Sequence, residues 1–270
     1  MPTRTGLDGE SAVSLYVIAG IATSPDFMEE LRDELVRRFR AETGSERIRS
    51  ALLHPYGAWD RSIWAQLRDI RRDMRLAVGK RSGSRGGAHV LERLAADGAL
   101  RGTLWLVGHS GGGVAAVHAA EALLALPDAP DCRIVQVGSP RCAVPEPLRG
   151  RTAYLYAVGR DGRAKDPICR LGSWGGWERA GAELRAGKSA GRRVPQWPPK
   201  LGVPRWNRDK QAPHRRVPLP IVGGHADYFR SGGMFRQALD GRSNMELTVE
   251  AMWPTLRGDL RSLDGESVEN

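Results

Sequence analysis

Apolar and polar positions alternate along this chain in two ways. Short apolar runs end at a glycine or a polar loop, and longer stretches repeat an apolar residue every three or four positions. Residues 13–20, VSLYVIAG, form the first apolar run and read as a strand. Residues 26–42 place Phe27, Met28, Leu31, Leu35, Val36 and Phe39 at helical spacing. Ser24 or Pro25 can start that helix, and Gly44 ends it. Residues 48–56 predict a second strand. Asp60 then opens a helix through Ile63, Trp64, Leu67, Ile70 and Met74, whose arginine-rich outer face reads as solvated surface. Residues 79–87, GKRSGSRGG, read as a flexible basic loop, and 88–97 as a short helix broken by Gly98.

The pattern is sharpest at residues 103–126. An apolar run from Leu104 to Val107 reads as a buried strand, and the alanine- and leucine-rich segment after residue 110 as a buried helix. Between them lies Gly108-His109-Ser110-Gly111-Gly112. This is Gly-x-Ser-x-Gly in the strand–turn–helix setting in which a serine sits on a sharp, strained turn. The glycines two before and two after it leave room for strand and helix to close. A phosphate loop would need Gly-x-Gly-x-x-Gly, or a lysine after the last glycine, and neither is present. Further strands are predicted at 132–138 and 151–158, with an extended stretch at 139–145 and a loop at 159–167. Residues 169–215 lose periodicity and hold Trp174, Trp177, Trp197, Trp206 and five prolines. An edge strand at 217–222 is limited by its prolines. A final helix is predicted over 227–239, and a short one near 247–252 within a mixed, polar tail.

Alternating strands and helices predict an α/β fold, a three-layer α/β/α sandwich with a mainly parallel sheet. At 270 residues and 41% hydrophobic content, the expectation is one domain over 1–270 with a Trp/Pro-rich insertion at 169–215. No apolar stretch reaches the roughly 20 residues of a membrane span. Residues 1–10 carry acids and no apolar segment of the kind a secretory signal needs. Three cysteines, Cys132, Cys142 and Cys169, lack metal-ligand spacing and read as reduced thiols of a cytoplasmic protein. The net charge of +10 is concentrated: residues 179–216 carry eleven Lys/Arg against two acids. That insertion predicts contact with an anionic surface, although no specific nucleic-acid motif accompanies it.

In parallel sheets the functional residues gather at the carboxyl ends of the strands, and Ser110, Asp166 and His225 each follow a predicted strand. A serine hydroxyl needs a base to become nucleophilic. Of six histidines, His54 ends a strand, His89 and His118 lie on helices, His214 lies in the insertion, and the side chain of His109 points away from that of Ser110. His225, in a Gly-Gly-His turn, is the candidate base. Asp166 and Asp161 compete in one loop for the supporting carboxylate, and Asp166-Pro-Ile is the better match to a post-strand turn. Asp227 is too close in sequence to His225 to support it. The backbone N–H groups of Gly111 and of Ile21, after the first strand, are the candidate oxyanion donors.

The strand–Gly-His-Ser-Gly-Gly–helix segment, the late Asp-Pro turn and the Gly-Gly-His before Ala-Asp-Tyr-Phe resemble the α/β-hydrolase superfamily. The Gly-His-Ser segment is similar to the lipase-like branch, class 3 lipases in particular. The resemblance spans residues 13–240. It implies a Ser110–Asp166–His225 triad, no metal and no organic cofactor, and a small-molecule or lipid ester as substrate. The chain departs from that pattern in its reduced N-terminal strands, in Ile21-Ala-Thr-Ser where many esterases carry a glycine-rich oxyanion loop, and in the basic insertion. Two other readings use the same residues: a non-catalytic scaffold binding anionic partners through the insertion, and a thioesterase or acyltransferase.

Overall fold

The computed structural model describes residues 13–258 apart from 22, 24, 58–60, 160 and 180–203. The apolar runs become β1 (Val13–Ile18), β2 (Ile48–Leu53), β3 (Thr103–His109), β4 (Asp131–Val137), β5 (Thr152–Ala157) and β8 (Arg215–Leu219). They form one sheet in the order β2-β1-β3-β4-β5-β8, and every neighbouring pair is parallel. Parallel strands covered on both faces carry continuous apolar runs, as Val13–Ile18 does with six buried residues in succession.

Helices cover both faces. On one lie α1 (Glu29–Thr43), through Leu31, Leu35 and Phe39, and α6 (Asn244–Arg257), through Val249, Met252, Trp253 and Leu256. Trp105 of β3 joins them to the sheet, edge-on to Phe39 at 5.7 Å and to Trp253 at 5.5 Å. On the other face pack α2 (Ile63–Asp73), α3 (Arg85–Ala96) and α4 (Gly111–Leu123), with Ile70, Val90, Leu94 and the apolar residues of α4 against Ile18, Leu104 and Ile134. The sequence did not predict α5 (Glu146–Arg149), one short turn between β4 and β5. The aperiodic stretch holds a two-stranded antiparallel ribbon, β6 (Gly176–Arg179) with β7 (Pro204–Asn207), where Trp177 and Trp206 meet edge-on at 5.5 Å. Ser24, Asp60 and Trp197 lie outside the described residues, but the helix expected from Asp60 starts only at Ile63, after Ser62.

Three expectations are corrected. The basic loop does not run to residue 87, because α3 starts at Arg85. Asp73 accepts the backbone N–H groups of Arg85 and Gly86, and Ser84 caps the helix by accepting from Gly87. Arg81 is not a solvated loop cation: its side chain is buried against Glu121 and the Ala143 carbonyl. Residues 227–239 are not a helix but turns with a short 3₁₀ segment at Gly233–Phe235. Their carbonyls are taken from outside: Asn244 donates to Asp227, Thr248 to Tyr228, and the Met245 N–H to Arg230. The segment that does the taking is α6, which runs over fourteen residues rather than the short stretch near 247–252. A capping box of Ser243 and Glu246 starts it.

The chain leaves β1 toward β2 on one side and returns through β3 on the other. Ligands of open α/β sheets bind at such a reversal, beyond the carboxyl ends of the strands. Gly20 and Ile21 leave β1 there, and Ser110 leaves β3 beside them.

Candidate active site

Ser110 has φ 53° and ψ −128°, and it is the only non-glycine with positive φ among the described residues. A β-carbon in that conformation is strained by roughly 1–3 kcal/mol, held in place by its surroundings. The surroundings here are tight. The Ser110 N–H donates to the Val137 carbonyl at 3.0 Å. A β-carbon on Gly112 would lie 2.1 Å from the carbonyl oxygen of Ile18, and one on Gly108 would lie 2.4 Å from the backbone nitrogen of Gly113. Strand β1, strand β3 and helix α4 therefore meet backbone to backbone at the serine. Gly112→Ala must push strand and helix apart, at a cost on the order of 3 kcal/mol. Thermal unfolding followed by circular dichroism should show Tm lowered by about 5–10 °C; an unchanged Tm would contradict this packing.

Ser110 is nearly buried, and a cavity of about 640 Å³ opens over it. Ile21 and Gly111 line this cavity with the serine; Ile70, Met74, Ile168 and Leu171 make it apolar, and Trp64 and Leu67 stand exposed at its rim. Gly111 begins α4, so no intrahelical carbonyl can take its N–H. Gly20 lies against the serine, with room for no side chain: a β-carbon there would be 2.7 Å from that of Ser110.

Asp166 and His225 come together although 59 residues separate them. Nδ1 of His225 lies 2.8 Å from Oδ2 of Asp166. A carboxylate only accepts, so Nδ1 carries a proton, and in the neutral ring the lone pair lies on Nε2. The Asp166 carboxylate is fully buried and also accepts from the Tyr228 hydroxyl at 2.9 Å and the Ile168 N–H at 2.9 Å. Burial pushes this carboxyl up, but the His225, Tyr228 and Ile168 hydrogen bonds outweigh it and hold Asp166 below its ordinary value. Asp161 makes no such contact; it is exposed and accepts from the Arg163 N–H. Asp227 accepts from the Gly224 N–H and shapes the His225 turn instead.

His109 connects the two halves. Its ring stacks on that of His225, with centroids 4.7 Å apart, and packs against Phe27 and Phe229. Its Nε2 lies 3.0 Å from the His225 carbonyl, which fixes the proton on Nε2. Burial, and then the neighbouring His225, lower His109 to about 3, so it stays neutral. Among the described residues no hydrogen bond joins Ser110 to His225. In unliganded sites such bonds are often long and tighten only around substrate.

Sequence reasoning passed over Tyr228 and over the stacking of His109. Tyr228 stands three residues after His225 in the same turn, but its partner Asp166 is 62 positions away, so no local pattern marks it. A second Ser–His–Asp group, Ser84 with His118 and Asp73, was also unmarked. The Ser84 hydroxyl donates to Asp73 and accepts from His118 Nδ1 at 2.8 Å. Its proton is thus committed to a carboxylate, and its histidine is a donor rather than a base. All three are buried, and the group serves the start of α3. Among the described residues no three His, Cys, Asp or Glu side chains are grouped to hold a metal ion. All three cysteines are free and buried, and no described helix is long and apolar enough to cross a membrane. The chain matches no family model and no curated protein.

Proposed function

We propose that this chain is a serine hydrolase of the α/β-hydrolase superfamily, lipase-like, that cleaves carboxylic esters through Ser110, His225 and Asp166. The observation that carries this reading is the strained Ser110 turn set beside a histidine whose Nδ1 proton is held by a buried carboxylate. Ser110 Oγ attacks the ester carbonyl while Nε2 of His225 takes its proton. The N–H groups of Gly111 and Ile21 receive the oxyanion. The intermediate collapses, the alkoxide leaves with the proton from His225, and an acyl group remains on Ser110. Water, deprotonated by His225, then releases the acid and restores the serine. The apolar cavity over Ser110 suits an acyl chain, and no step uses a metal or cofactor. Residues 1–270 act as one domain in this reading, in the cytoplasm.

Incubation of the purified, folded chain with a fluorophosphonate probe tests it. Covalent labelling at Ser110, with hydrolysis in a panel of oxygen and thioesters of graded acyl length, is expected. A folded chain that does not label overturns the reading. Hydrolysis of thioesters alone would replace the ester assignment with a thioesterase.

His109 is a positioning residue in this scheme. His109→Phe keeps an aromatic ring against His225 but removes the Nε2–H donor to its carbonyl. One neutral hydrogen bond is worth about 0.5–1.5 kcal/mol, so kcat should fall about tenfold at most, with KM unchanged. A variant that changes KM and leaves kcat alone would show that His109 does not act through His225.

A further inference from the structure

A second cavity of about 610 Å³ lies next to the first, against β5 and β8, whose Tyr154, Tyr156 and Arg216 line it. One strip of backbone divides them. Pro140 and Leu171 face the serine cavity, Arg141 faces the second, and Gly172 borders both. Arg141 and Gly172 form a bridge across this strip: the Arg141 N–H donates to Leu171, and its carbonyl accepts from Ser173. A β-carbon on Gly172 would fall 2.0 Å from the Arg141 carbonyl oxygen, so the divider is as thin as backbone permits.

The second cavity is the more polar of the two, although Arg68 and Arg71 also line the first. Arg141, Arg208 and Arg216 line it, against one carboxylate, Asp209, which is paired with Arg216 at 2.9 Å. Its floor is aromatic. Trp174 stands edge-on to Tyr154 at 4.8 Å, with the Arg141 and Arg216 guanidinium carbons 5.0 and 5.7 Å from its ring centre. Two donors here are unsatisfied: Arg141 Nε and Trp174 Nε1 are buried with no hydrogen-bond partner among the described residues. Trp105 Nε1 in the core and Arg81 Nε beside Glu121 are likewise without a partner among the described residues, so the excess charge rather than the orphan donors marks this cavity. Guanidinium forks match the geometry of phosphate oxygens. One excess pair of positive charges suits a dianion.

We propose that this cavity binds a phosphate monoester carried on the leaving group of the acyl substrate. It rests on the serine hydrolase reading above. The acyl chain lies in the apolar cavity, the scissile carbonyl stands at Ser110, and the alcohol portion crosses the Arg141–Gly172 strip to the arginines. The substrate is then an acyl ester of a phosphorylated alcohol, either soluble or held in a lipid surface.

The test is the Arg208→Gln/Arg216→Gln double variant of the full chain. Arg208 is exposed, and the Arg216–Asp209 pair is a surface contact, so the fold should persist with Tm unchanged. Isothermal titration should show sn-glycerol 3-phosphate binding to the wild type, binding at least about tenfold weaker in the variant, and no binding of glycerol. The variant should raise KM for butyryl glycerol phosphate at least about tenfold with kcat unchanged, and leave KM for the uncharged butyryl glycerol ester unchanged. Cleavage of the soluble ester against phosphatidic acid in vesicles assigns the source, and arginine dependence in either supports the proposal. No binding of glycerol 3-phosphate to the wild type, or an equal KM change for both esters, overturns it. Fluorophosphonate labelling of Ser110 separates the two failures. Labelling without arginine-dependent binding removes the phosphate site alone. Arginine-dependent binding by a chain that does not label removes the ester chemistry, and with it the leaving-group role.

Discussion

Ser110→Ala is expected to lower ester hydrolysis by about 10⁴–10⁶-fold and to abolish fluorophosphonate labelling. It should also leave Tm within a degree or two of wild type. The two readouts have separate causes. In the proposed mechanism the hydroxyl forms the acyl bond, so its loss removes covalent catalysis, while the proposed oxyanion donors and the apolar cavity remain. The backbone at 110 keeps its positive φ with alanine as with serine, and Oγ makes no hydrogen bond that alanine would lose among the described residues. Ser110→Gly distinguishes strain from chemistry. Glycine adopts φ 53° freely, relieving roughly 1–3 kcal/mol, while its larger unfolded-state entropy costs about 0.5–1 kcal/mol. The net should be a more stable and equally inactive chain, with Tm raised by about 2–4 °C. Retained hydrolysis in Ser110→Ala would end the serine mechanism, and a lower Tm in Ser110→Gly would show that the turn stores no strain.

Asp166→Asn should reduce kcat by about 10⁴-fold. An asparagine amide can donate to Nδ1 of His225, which moves the ring proton to Nε2 and leaves no lone pair facing the serine. The same change has a pH signature. The folded carboxyl of Asp166 lies below its ordinary value of about 4. The carboxylate therefore stabilises the fold, and that contribution is complete above the unfolded pKa. It is lost as pH falls through the lower folded value. The Tm difference between wild type and Asp166→Asn should accordingly be largest near neutral pH and shrink below about pH 4. A difference that stays constant across that range would mean that the carboxylate is not held charged by His225 and Tyr228.

Much of this architecture can be read directly from local pattern. The central strands β1, β3 and β5 are largely apolar runs, and the Ser110 turn is written in five consecutive positions. The order Ser110, Asp166, His225 follows from each residue standing after a strand. Local pattern failed where backbone groups found distant partners. Residues 227–239 carry helical spacing, yet Asn244, Thr248 and Met245 take their carbonyls. The glycines at 86 and 87 read as loop, yet the carboxylate of Asp73 starts a helix on them. The Ser243–Glu246 capping box stands in the sequence, but the short helix expected near 247–252 does not use it, and α6 starts earlier, at Asn244.

The alternation of strand and helix, the serine turn and the candidates for base and acid are legible along the chain, because they depend on side-chain period and on the backbone freedom of glycine. Folding set Asp166 rather than Asp161 against His225, brought Tyr228 and His109 to them, separated the Ser84 group from the Ser110 group, and put an arginine-lined cavity beside an apolar one. These depend on which buried donor meets which acceptor. Residues tens of positions apart meet only after the sheet has ordered its strands, and a hydrogen bond between them leaves no periodic trace along the chain.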